Sequence, residues 1–257
     1  MEVTWQMLLT VCPLVFLASA IDAIAGGGGL ISLPAYYLAG LPPVMAAGSN
    51  KFSASFGTLM ASVKYARSGK VHWAAALFAV AGALPGAWFG AEMLKIAPEQ
   101  FVRICLLVGV PAMAVVMLVK KPKENEDEQA EKIKTWRERA LCFVIGLLVG
   151  FYDGFFGPGT GTILILLFTL LMKMNAVTAS GSAKIVNLAS NMAALGSFAF
   201  GGGVLYALAF PAMICSVVGG YVGSSLAIKG GAKVIRTVML IVMAMLLVKI
   251  AWDTFAG

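Results

Sequence analysis

The feature that most restricts this chain is a succession of apolar runs, each about as long as a bilayer core is thick. Runs that read as full spans cover residues 5 to 24, 46 to 66, 73 to 92, 100 to 119, 140 to 156, 178 to 199, 204 to 228 and 234 to 252. A helix needs about 20 apolar residues to cross a hydrocarbon core of roughly 30 Å. With 60% of 257 residues hydrophobic and only 12% charged, a water-soluble domain of this size is excluded. The expectation is an all-α, polytopic transmembrane helical bundle. Met1 to Gln6 carries an acid and no basic residue ahead of the first run, which argues against a cleaved signal peptide and keeps the first span in the mature protein.

The formal charge of +7 would point to nucleic acid in a soluble protein. Here seven of the 19 Lys and Arg sit between Lys120 and Arg139, among six acids, so the excess reads as a topology signal and nucleic acid is not an expected partner. Cys12, Cys105, Cys142 and Cys215 stand alone within apolar runs and indicate neither disulfides nor a zinc site. No metal or other cofactor is expected.

Two apolar runs are too short to span. Leu30 to Ala39 and Thr162 to Leu171 would each rise only about 15 Å as a helix. They fall at matching places in an internal repeat. Asp22-Ala23-Ile24-Ala25-Gly26-Gly27-Gly28 lies over Asp153-Gly154-Phe155-Phe156-Gly157-Pro158-Gly159, and Gly48-Ser49-Asn50-Lys51 lies over Gly181-Ser182-Ala183-Lys184. Farther on, Gly82 and Gly86 meet Gly219 and Gly223. The chain therefore divides into a first transmembrane repeat at 1–119, a charged linker at 120–139 and a second transmembrane repeat at 140–257, with a broken or re-entrant Gly-rich segment in each repeat. If the short runs re-enter, the halves are parallel with both termini cytoplasmic. If they cross, the halves are inverted, both termini are outside, and Lys173, Lys229 and Lys233 become cytoplasmic together with Lys64, Arg67 and Lys70. Charge favours crossing and length favours re-entry.

Gly26, Gly27, Gly28 and Gly29 interrupt an apolar stretch where a helix of this composition would unwind, since each glycine costs it up to about 1 kcal/mol. The second repeat uses Gly157, Pro158, Gly159, Thr160 and Gly161, and Pro158 also removes a backbone donor. Non-helical backbone at membrane depth belongs beside a cavity or inside protein. The new helix starts would turn amides around Gly28 to Ile31 and Gly159 to Ile163 towards that cavity, which suits an anion. Close helix packing is the alternative for glycines, and it fits the spacing of Gly82, Gly86 and Gly90, and of Gly219 and Gly223.

Lys51 and Lys184 fall inside apolar spans, once per repeat, where an unpaired charge costs at least about 2.5 kcal/mol. As a pair of cations they would hold a ligand of about two negative charges, with Ser49, Asn50 and Ser182 adding neutral hydrogen bonds. Alternatively each lysine snorkels to the interface. Asp22 and Asp153, four residues before each break, would pair with a lysine, bind a coupling ion, carry a proton or cap broken backbone. Asn187 and Asn191 share a helix face and would line the same cavity or bond between helices. His72 reads as an interfacial residue. HExxH, GxSxG and Walker patterns are missing from the sequence, which argues against a metalloprotease, a serine hydrolase and an ATP-driven pump, and an enzyme is not expected.

Asp22 to Gly29, Ser49-Asn50-Lys51 and Gly150-Phe151-Tyr152-Asp153-Gly154-Phe155-Phe156-Gly157-Pro158-Gly159 resemble the TauE/SafE family of sulfite exporters, in particular its YfcA-like branch, and the resemblance covers essentially the whole chain. It implies a multi-pass permease of the bacterial inner membrane for sulfite or organosulfonates such as sulfoacetate, compatible with a homo-oligomer. It carries no signature for the substrate. With the cell interior negative, outward movement of one negative charge releases about 2.3 kcal/mol per 100 mV, so export needs no coupling ion, whereas uptake would need protons or sodium. A membrane receptor docking through the charged linker, around Glu124 to Glu131, is the alternative from another class.

Overall fold

A computed structural model of the protein describes residues 3–98 and 135–255, all of whose regular structure is helical. The expected span at 100 to 119, most of the charged linker and Cys105 lie outside the described residues. The helices are α1 (Trp5–Ala25), α2 (Gly29–Leu38), α3 (Pro43–Arg67), α4 (Trp73–Ile96), α5 (Trp136–Phe155), α6 (Thr160–Leu171), α7 (Ala176–Phe200) and α8 (Tyr206–Phe255).

Local sequence explains most of the boundaries. The Thr4 side chain caps α1, Pro43 opens α3, and Asn175 caps α7 by accepting from the Thr178 amide. His72, expected as an interfacial residue, is the cap of α4, its ring nitrogen accepting from the Ala75 amide. α5 starts at Trp136, inside the expected linker and earlier than residue 140. Thr135 and Glu138 form a capping box there and draw the first charged turn into the helix. α8 is interrupted at Gly231, whose φ of 58° lies outside helical space. This break separates the two spans expected at 204 to 228 and 234 to 252.

Among the described residues, three stretches, Trp5–Ala25, Trp73–Ile96 and Tyr206–Gly231, are long and apolar enough to cross a membrane by length and composition. α3 and α7 have the length, at 25 residues each, but bury Ser, Asn and Lys instead of showing an apolar surface throughout. The first turn of α5 carries Arg137, Glu138 and Arg139. The short α2 and α6, of 10 and 12 residues, rise only about 15 to 18 Å.

Glycine spacing sets the closest packing. On α4, Gly82, Gly86 and Gly90 face the backbone of Phe143, Leu147 and Phe151 on α5, and Gly146, Gly150 and Gly154 of α5 face Ala79, Ala83 and Ala87 in return. A Cβ at any of these glycines would collide with the opposing main chain. Both number series rise together, so α4 and α5 run parallel. Gly219 and Gly223 press α8 onto Phe16 and Ala20 in the same parallel sense. Between these pairs α3 and α7 cross the centre antiparallel, with Gly48 at Gly203, Lys51 at Asn191 and Tyr65 at Ser180. α2 folds back along α1, for Gly28 abuts Ala18 and Asp22.

Lys64 and Lys70 lie at one end of this bundle. Lys64 bonds Ser225 and lies over the Tyr221 ring, while the Lys70 carbonyl meets Gly181 near the start of α7. Lys95, bonded to Glu92 and the Ser197 carbonyl, marks the other end.

Candidate binding cavity between two broken helices

α1 stops because Gly26 takes a left-handed φ of 82°, and its amide closes the last turn on the Asp22 carbonyl at 2.8 Å. The next three carbonyls face protein, not water, and each is met by a hydroxyl from another helix. Tyr65 donates to Ala23 at 3.0 Å, Ser180 to Ile24 at 3.1 Å and Thr162 to Ala25 at 2.7 Å. A buried helix end with all these carbonyls satisfied is stable where a ragged one would not be. At the second break α5 ends at Phe155, Gly157 and Gly159 adopt φ of 85° and 82°, and Tyr152 donates to the Pro158 carbonyl at 2.7 Å. The breaks touch: a Cβ on Gly26 would overlap the backbone of Gly161 and Thr162, and one on Gly29 would come to 3.1 Å from the Cα of Pro158.

The expected set of open amides is smaller than the sequence implied. Leu30 and Ile31 already donate to the carbonyls of Gly27 and Gly28, and Thr160 and Ile163 to those of Gly157 and Gly159. A 3₁₀-like first turn takes up the first three of these donors and an ordinary helical bond the Ile163 amide, so a helix start without a side-chain cap satisfies itself. Neither α2 nor α6 has a side-chain cap.

The charged residues pair crosswise. Lys51 Nζ lies 2.7 Å from Asp153 Oδ2, and Lys184 Nζ lies 2.7 Å from Asp22 Oδ2. Neither lysine snorkels, because their side chains are 6% and 0% exposed. Nor are they free cations: the four charges cancel, so the site does not present the double positive charge expected from two lysines. The carboxylates take up the lysines in place of the cap on broken backbone.

The two pairs differ in their surroundings. Asp153, 3% exposed, accepts Thr160 Oγ1 at 2.8 Å on Oδ1 and Ser190 Oγ at 2.6 Å on Oδ2, while Lys51 also donates to Asn191 Oδ1 at 2.9 Å. Asp22 is 18% exposed and, among the described residues, bonds Lys184 through its side chain and nothing else.

Between the breaks and these pairs lies a small cavity of about 40 Å³, room for roughly three water-sized groups. Of the residues singled out in the sequence, Gly26, Gly28, Gly29, Asn50, Lys51, Gly157, Thr160, Gly161, Asn187 and Asn191 line it together with Asp22 and Asp153. The others stand behind it. Ser49 accepts the Leu205 amide and Ser182 the His72 amide, so both serines hold loops in place. Lys184 sits behind Asp22, with its ammonium beside Gly161. Gly159 starts α6, and Gly27 accepts the Leu30 amide.

Sequence reasoning missed Ser19, Ser32, Ser53, Thr58, Ser190 and Ser216. Five of these line the cavity, and Ser190 holds Asp153. A signal was present for Thr58: Lys51, Ser55, Thr58 and Ser62 on α3 recur at steps of three and four, as do Ser180, Lys184, Asn187 and Asn191 on α7, which puts a polar stripe on one face of each helix.

A multi-helix bundle with apolar outer helices, two broken helices meeting inside it and buried ion pairs at the breaks is the construction of a polytopic membrane transporter. Comparison with known proteins gives the family. The chain matches the sulfite exporter TauE/SafE family over residues 11–250 and belongs to it. It is 34% identical to a probable membrane transporter protein of Haemophilus influenzae, over 93% of this chain and 92% of that one. It is 32% identical to the probable membrane transporter protein YfcA of Escherichia coli K12, over 98% and 95%. The probable membrane transporter protein ORF9 of a Sinorhizobium species is 34% identical, over 93% and 90%. No solved structure matches the chain.

Proposed function

We propose that this protein carries a small sulfite- or sulfonate-like anion across a bacterial inner membrane, with the central cavity as its binding site and alternating access as its mode of transport. The observation that carries this is the direct contact of the two breaks, Gly26 against Gly161, beside two crosswise lysine–aspartate pairs at a cavity the size of a few heavy atoms. An anion that displaces a carboxylate from its lysine would find a buried ammonium there, and the volume selects a compact one. Membership of the sulfite exporter family supports the same substrate class.

Purified protein in liposomes is expected to give saturable flux of labelled sulfite. Lys51→Met with Lys184→Met, reconstituted at equal amounts of monodisperse protein, should lower that flux at least tenfold. Unchanged flux in the double variant would place the binding site elsewhere.

The antiparallel passage of α3 against α7 supports inverted halves at 1–119 and 140–257 joined by the linker, each contributing one broken helix. The end of the bundle that bears Lys64, Arg67 and Lys70 is then cytoplasmic by the charge rule, and Lys173, Lys229 and Lys233 fall on the same side. A phosphatase reporter fused after Gly69 should be silent and one fused after Gly202 active. The reverse pattern would invert the assignment, and equal activity at both points would remove it.

A further inference from the structure

The two ion pairs are alike in length and unlike in everything else. Asp153 is saturated: Lys51, Thr160 and Ser190 occupy its oxygens, and Asn191 holds the lysine from the other side. Asp22 has Lys184 alone and lines the cavity, whereas Lys184 does not. Asp22 thus stands between the cavity and a fully buried ammonium with donors to spare.

An anion that enters the cavity meets the open carboxylate before it reaches Lys184. Bound beside a charged Asp22, it would place two negative groups against one cation in a water-poor site, an arrangement that drives one of them to take a proton. A strong-acid anion holds on to its charge. The proton therefore goes to the carboxylate.

We propose that Asp22 is the coupling carboxylate of this transporter: it takes one proton from water as a monoanion replaces it at Lys184, and it gives that proton up on the far side when the anion leaves and the Lys184–Asp22 pair re-forms. Asp153 keeps its charge and serves as a fixed counterion. Empty, the site holds Lys51 and Lys184 against Asp153 and Asp22. Loaded, it holds the two lysines against Asp153 and the anion, with Asp22 neutral. Both states have zero net charge, so one monoanion travels with one proton and the cycle moves no net charge. The charged and titratable groups that face Asp22 are consistent with this balance. They are Lys184 from α7, Lys51 and Tyr65 from α3, and Asp153 across the cavity from α5. α2, α6 and α8 present glycine, serine and threonine there. The proposal rests on the anion-transport function above and deepens it by naming the coupling ion and its carrier.

The test is net flux of labelled sulfite into liposomes at mildly acidic pH, with potassium and valinomycin setting the membrane potential and a trapped pH indicator following protons. Protein-free liposomes give the background to be subtracted. Wild-type flux should be indifferent to voltage and acidify the lumen beyond that background in proportion to the sulfite moved. An uncoupled monoanion would instead show a tenfold change in equilibrium accumulation for about 59 mV. Voltage-driven wild-type flux without proton movement overturns the proposal while leaving the transport function standing. Absence of any saturable sulfite flux in the wild type overturns both. In Asp22→Asn the remaining net flux should become voltage-dependent and lose its proton, and Asp22→Glu should restore voltage indifference. A variant pair that behaves alike under voltage also overturns it. If Asp22→Asn fails to fold, the wild type and Asp22→Glu keep the proposal open to refutation, since voltage-driven flux without proton movement in either overturns it.

Discussion

Lys51→Met should destabilise the protein by about 3–5 kcal/mol, because it leaves the Asp153 carboxylate, 3% exposed, charged and without its cation. The more informative variant is the double one. Lys51→Met with Asp153→Leu removes both charges and substitutes apolar groups of similar bulk, an exchange that is often close to neutral. Thr160 and Ser190 would not be orphaned, since each hydroxyl also bonds a carbonyl in its own vicinity, of Gly157 and of Asn187. Asn191 Oδ1 alone loses a donor, worth about 1–3 kcal/mol. Unfolding in detergent should therefore show the double variant recovering much of what the single variant loses. Equal instability of the two would mean that the lysine matters for its packing and not for its charge. Lys184→Met should cost less, because Asp22, at 18% exposure, keeps some contact with the polar cavity once its cation is gone.

Gly26→Ala is expected to abolish the folded state or to leave it unable to bind ligand. Two penalties act at this position. The φ of 82° strains any L side chain by about 1–2 kcal/mol. The added methyl would also occupy the space of the Gly161 and Thr162 main chain, which cannot yield without drawing α1 away from α6. Separation would break the Thr162 bond to the Ala25 carbonyl and expose a helix end that three hydroxyls now cover. Gly69→Ala is the control. Its φ of 66° imposes a similar strain, but nothing lies within 4 Å of the new methyl, so the loss should stay near 1 kcal/mol. If both variants purify with equal yield and stability, the contact between the breaks is not what holds the cavity together.

Much of this architecture is legible in the sequence, for reasons that are local. Four adjacent glycines fit no helix-packing period, and Pro158 between two glycines cannot continue a helix, so the breaks announce themselves. Lysine and aspartate inside apolar runs are costly enough to be noticed one by one. Which lysine meets which aspartate is not local. Lys51 and Asp153 are neighbours because α3 crosses α7 antiparallel and each broken helix docks beyond that crossing, and no spacing along the chain encodes such a register. Ser182 and Ser49 illustrate the opposite failure. Their place near the lysines marked them as ligand contacts, yet the two helical steps between them, about 200°, turn them from the cavity towards the His72 and Leu205 amides. The early start of α5 was written in Thr135 and Glu138 but masked by the charged composition around them.

α1 is fastened to α8, and α5 to α4, with main chain against main chain and only glycine between. Each broken helix is therefore clasped by a partner from the opposite portion of the polypeptide. Cleavage between residues 98 and 135 would yield two interlocked fragments, neither of which retains a closed interior by itself. If the cavity opens to one side and then the other as proposed, the slack has to come from the α3–α7 seam, where hydroxyls and amides can exchange partners, since the glycine clasps have no room to slide.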